Sequence, residues 1–239
     1  MVSWPGRGAR RGVAARPRPR QAAKPLRVAR VELGEFTPDL AVYLGQAAYL
    51  QLSLFEALGR AASLAPHVRA KAVTGRVATS TLARHEGILA ELRRTGLDEA
   101  EAMGPHAGAV EDFRRRTAGR DWYEAILASY VSAGLLNDVF SRLAAGLPAE
   151  HRTRVAAVLD PGDDDQVIVA ELSRAFEADP RLASRLALWG RRLVGDTLLV
   201  ARAAIEASHE SADDERLEPV FTELIAAHTR RMDALGLTA

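Results

Sequence analysis

From residue 36 onward, apolar residues recur at spacings of three and four along segments too long to be strands, and this periodicity confines the chain to packed helices. Thr37-Pro38-Asp39 reads as a helix start, with Thr37 as N-cap and Pro38 at the first helical position, followed by a seam of Leu44, Ala48, Gln51, Phe55 and Leu58. That helix ends by Pro66, and a second spans about His67 to Arg94 with Val77, Thr81, Arg84, Ile88 and Leu92 on one face. Thr95-Gly96 closes it. A Gly/Pro-bearing connection containing Met103-Gly104-Pro105-His106 leads to Asp121-Trp122, where a third long helix begins and runs to about Gly146. Its seam is Leu127, Val131, Gly134 and Asp138, with Gly134 permitting close approach of another element.

Leu147-Pro148 breaks the third helix, and a shorter helix covers about Ala149 to Leu159. The turn Asp160-Pro161-Gly162 feeds a helix opened by Asp163-Asp164-Asp165 and continuing to about Ala178, then one from Pro180 to about Glu210 and a last one over 215–235. The expected architecture is an all-α bundle of four or more long helices. Five polar residues, Gln51, Thr81, Arg84, Asp138 and Asp164, fall at its centre, where polar groups are costly unless paired.

Composition excludes several chemistries. The chain has no cysteine, which removes disulfides, iron–sulfur ligation, thiolate zinc and cysteine nucleophiles. It also lacks a phosphate-binding Gly-rich loop, a G-x-S-x-G elbow and an H-E-x-x-H pair. Asp160 to Glu171 has three positions of a calcium loop but puts Asp165 where glycine is required, so helix-dipole stabilisation is the simpler account of its acids. Glu206-x-x-His209 has half-site spacing without a second pair. No membrane span or secretory signal is evident, and a cytoplasmic protein is expected.

Net charge is +1, but residues 1–30 hold nine Lys/Arg and no acid, leaving 23 basic residues against 31 acidic ones and a charge of −8 for the remainder. Pro5, Pro17, Pro19 and Pro25 disfavour helix there, so 1–35 is expected to be a disordered basic arm and 36–239 the folded domain. The arm suits a nucleic-acid or anionic-surface tether, or is an unstructured leader, a product of a start codon placed too early, or an Arg-rich transit peptide.

Several segments together are specific: Tyr43 to Leu92, Ala102-Met103-Gly104-Pro105 through Asp121-Trp122, Ala128 to Asp138, the Leu186-Ala187-Leu188-Trp189-Gly190-Arg191-Arg192-Leu193 block, and His228-Thr229-Arg230-Arg231-Met232. Over about residues 40–237 they resemble the actinobacterial ferritin-like proteins similar to the MiaE tRNA hydroxylase. The resemblance implies a ferritin-like up-down bundle with additional C-terminal helices, and for the family a non-haem di-iron centre and oxygen-dependent hydroxylation. It sets Gln51, Thr81, Arg84, Asp138, Pro161 and Asp164 at the six ligand positions, of which Asp138 alone is kept and Asp164 offers another oxygen.

Thr, Gln, Arg and Pro supply neither charge compensation nor imidazole for two Fe(II), so no cofactor is expected, with di-iron as the alternative. A register shift of one would restore His85, although one residue turns a helical side chain about 100° from the inward face. Glu56 likewise points off the seam. A network in which Arg84 lies between Asp138 and Asp164, completed by Gln51 and Thr81, is the expected replacement. Its alternative is an Arg84 that snorkels to the surface over a collapsed site.

Two functions follow: a metal-independent bundle that binds a small molecule or protein partner, or an enzyme, either a hydroxylase with rearranged ligands or an acid–base catalyst using Asp138, Asp164 and Arg84. A DNA-binding regulator is a weaker reading, because residues 1–36 are too short and proline-rich for a helix-turn-helix. A roomy pocket at Arg84 favours chemistry or ligand binding there, and a closed centre a structural role. A homodimer pairing through the Trp189-Gly190 surface is the expected assembly.

Overall fold

The computed structural model describes residues 33–206 and 214–237. They form α1 (Leu40–Ser63), α2 (Val68–Thr95), α3 (Glu99–Met103), α4 (Ala107–Arg116), α5 (Trp122–Leu143), α6 (Ala149–Val158), α7 (Asp164–Ala178), α8 (Pro180–Glu206) and α9 (Asp214–Ala234), with no strand among the described residues. The all-α expectation holds. Among the described residues, no helix is long and apolar enough to cross a membrane.

Local signals explain most boundaries. The His67 ring accepts from Ala70 N at 3.1 Å to open α2, and Gly96 at φ 73° closes it in the left-handed region that glycine tolerates. Asp121 caps α5 by accepting from Glu124 N at 2.9 Å, while the Glu124 carboxylate reaches back to Arg120 N at 3.0 Å. Thr37 is not the N-cap of α1. Asp39 holds that position without a side-chain cap, and the Thr37 hydroxyl donates instead to Gly34 O and to Leu143 O. The folded region also begins before residue 36: Leu33–Phe36 is a 3₁₀ turn whose Leu33 and Phe36 are buried against the end of α5. The rest of the expected basic arm, residues 1–32, lies outside the described residues.

The connection between α2 and α5 is not a loop, because it contains α3 and α4. Asp98 caps α3, and Gly45 lets that helix press onto α1, since a Cβ there would stand 2.1 Å from Ala102 O. α1 packs on both α2 and α5, and α7 lies across α2 and α5. The additional helices α8 and α9 cover α5.

Burial divides the core into two apolar halves. One holds Tyr43, Leu44, Leu92, Phe140, Leu143 and Val155, and the other Leu58, Trp122, Leu127, Ile168, Leu186 and Met232. Between them, α1, α2, α5 and α7 each contribute buried polar residues, including Gln51, Thr81, Arg84, Asn137 and Asp164. At the Trp189-Gly190 block, Trp189 is half-buried beside an exposed Leu188. Gly190 is buried under Met232, and the Trp189 indole donates to Glu124 O at 3.0 Å.

Candidate functional site

The polar layer is organised around Arg84. From α2 its guanidinium pairs with the Asp164 carboxylate, donates to Pro161 O at 3.2 Å and lies 3.5 Å from both Asp160 O and the Thr81 hydroxyl. The side chains of Arg84 and Asp164 are 9% and 7% exposed, so Arg84 does not snorkel to solvent. Local sequence explains the geometry: Gly162 at φ 58° turns the chain so that Asp164 enters the first turn of α7, where helix-terminal N–H groups favour a carboxylate. Pro161 joins through its carbonyl. A fork of N–H donors thus meets one carboxylate and two backbone oxygens of the same turn.

The remaining expected members lie elsewhere. Gln51 is 1% exposed and donates to Asn137 Oδ1 at 2.8 Å, while its own Oε1 has no partner. Asp138 does not meet Arg84; Arg231 from α9 binds it at 2.9 Å. The α5 seam therefore shifts by one residue after Gly134, putting Asn137 inside and leaving Asp138 toward α9. Gly134 makes this pairing accessible, because a Cβ there would stand 2.2 Å from Arg231 Nε. His85 is not part of the site: its Nδ1 lies 2.9 Å from Ala48 O between α1 and α2. Glu56 is exposed and pairs with Arg60.

Asp165 completes the charge pattern. Burial pushes its carboxyl upward, and the neighbouring Asp138 and Asp164 add to this against the opposing pull of Arg231 and Arg84. Burial, with a contribution from Asp165, also pushes the Tyr130 hydroxyl up to about 12, and that hydroxyl donates to Arg231 O at 3.3 Å. Two guanidiniums and three carboxylates therefore share one region.

The space left at this centre is about 60 Å³, bounded by Thr81, Arg84, Asn137, Asp138, Asp164 and Arg231 among others. That is the volume of about two liquid waters, too small for an organic substrate. Among the described residues no group of three or more His, Cys, Asp or Glu is arranged to hold a metal ion. Of the three acids at calcium-loop positions, Asp164 is taken by Arg84 and Glu171 by Arg174, while Asp160 accepts from Gly162 N at 2.9 Å. The Glu206-x-x-His209 pair falls outside what is described, since His209 lies beyond the described residues.

Asn137, Asp165 and Arg231 were missed by sequence reasoning. Asn137 differs by one residue from the expected Asp138, and Asp165 stood in the acidic run read as a helix start. Arg231 lies in the His-Thr-Arg-Arg-Met element, with 93 residues separating it from Asp138. No seam argument links positions so far apart.

A family model described as "Ferritin-like domain, actinomycetes" matches residues 35–214. No curated protein matches the chain.

Proposed function

Because the chain belongs to this actinomycete ferritin-like family, we propose that it uses the bundle without a metal, as a binding protein whose centre is a fixed polar network. The observation that carries this reading is the buried Arg84–Asp164 pair, which sets an organic cation at a position that the resemblance to MiaE-like hydroxylases gives to an iron ligand. Two Fe(II) ions require several uncommitted carboxylates and imidazoles. Here Asp164 and Asp138 are held by Arg84 and Arg231, Thr81 and Gln51 are neutral, and His85 is turned onto Ala48 O. The donor set does not fit a di-iron centre.

Acid–base catalysis by Asp138, Asp164 and Arg84 is disfavoured on geometry, since these groups point into a space the size of about two waters. Protein purified from iron-supplemented cells tests the reading by metal analysis. It is expected to carry far less than one iron per chain, with thermal stability unchanged by chelator. About two tightly held irons per chain, with destabilisation on chelation, would establish the rearranged di-iron hydroxylase instead.

A further inference from the structure

A second, more apolar cavity lies behind the ion-pair centre. A space of about 260 Å³ opens between α1, α4, the 117–119 connection and α5. Leu50, Leu54, Ala57, Val110, Phe113 and Ala128 give it an apolar wall, and Leu54 and Ser129 separate it from the Arg84 centre by lining both. Small side chains hollow it out: Ala57, Ala61, Ala125 and Ala128 stand where larger apolar residues would close the helix contacts.

Two further observations specify what fits. Ser53 lines the cavity, is 5% exposed, and its hydroxyl makes no hydrogen bond among the described residues. That hydroxyl opens onto the cavity rather than being sealed in the core, so water or a ligand's polar group can meet it. The rim carries two guanidiniums, Arg60 and Arg114, but both are neutralised. Arg60 pairs with Glu56, and Arg114 Nε donates to Glu111 at 3.0 Å, with Glu56 a further 3.8 Å neighbour. The hydrogen bond from Arg114 holds the Glu111 carboxyl below the usual range, so it remains an anion at neutral pH. The mouth has no net charge to offer an ionic headgroup.

We propose that this cavity binds an uncharged apolar small molecule carrying one hydrogen-bonding group, seated with its hydrocarbon against α1, α4 and α5 and its polar group on Ser53. At about 30 Å³ per water-sized group the space holds roughly nine such groups, a scale that 1-octanol matches. The proposal stands on the cavity alone and does not depend on whether the centre holds metal.

The test is titration of the full chain with 1-octanol and with octanoate, followed by amide shifts of Ala57, Ala61, Val110 and Ala128. Saturable shifts with octanol, and binding of octanoate at least about tenfold weaker, are expected from a neutral rim. Ser53→Ala is expected to weaken octanol about three- to tenfold, the usual size of one hydrogen bond. Ala57→Phe fills the cavity, and Ala118→Trp obstructs the exposed mouth should the first variant fold poorly; each is expected to abolish saturation. The proposal is overturned by absent saturation at millimolar octanol, by equal binding of octanoate, by an unaltered affinity in Ser53→Ala, or by binding that survives a folded blocking variant.

Discussion

Removing the Arg84 side chain is the sharpest perturbation of the polar layer. Arg84→Ala leaves the Asp164 carboxylate, 7% exposed, without its cation and close to Asp165, whose ionisation burial already opposes. Breaking one side of a buried pair typically costs about 3–5 kcal/mol, because the surviving charge keeps its desolvation penalty. For a domain of this size, about 2–4 °C per kcal/mol gives a melting point lowered by roughly 6–20 °C. The double replacement Arg84→Met with Asp164→Leu removes both charges while keeping apolar volume, and it is expected to recover most of the loss. Urea unfolding followed by circular dichroism at neutral pH measures all three proteins. A loss below about 1 kcal/mol for Arg84→Ala, the range of exposed pairs, would refute the assignment of Arg84 as a buried organising cation.

Arg231→Ala is expected to cost only about 1 kcal/mol in the same assay, since its partner Asp138 is 36% exposed. Asp165→Asn is expected to raise stability near pH 7. Its carboxyl is raised in the folded state, so the stability it contributes is complete below its unfolded pKa and lost as pH rises through the folded one. The gain from the variant should shrink toward pH 4, and a variant destabilised at pH 7 would contradict this. His228 is 3% exposed with both ring nitrogens unpartnered, and burial followed by Arg231 lowers its pKa. Its unfolded form takes up a proton first, so stability falls as pH drops below about 6.5, and His228→Leu should flatten urea midpoints measured between pH 7 and 5.

The long helices were legible because their seams are long. Leu44, Ala48 and Leu58 on α1, and Val77, Thr81, Arg84, Ile88 and Leu92 on α2, are all buried as periodicity requires. α3 and α4 were not legible, since five and ten residues interrupted by Gly104, Pro105 and Gly108 are too few to show a period. Within the site, Gln51, Thr81, Arg84 and Asp164 were found by position on a seam, and the Arg84–Asp164 pair by charge. The partners of Asp138 and Gln51 were not. A shift of one residue on α5 exchanges Asn137 for Asp138, and Arg231 arrives from α9 by tertiary packing that no local pattern encodes.

A crystal soaked in Fe(II) without oxygen tests most directly whether a guanidinium takes the place a metal would hold. Anomalous data collected above and below the iron edge are expected to show Arg84 closed on Asp164 and Pro161 O, with no scatterer among α1, α2, α5 and α7. Two anomalous peaks at that centre, with Arg84 displaced from Asp164, would contradict the account.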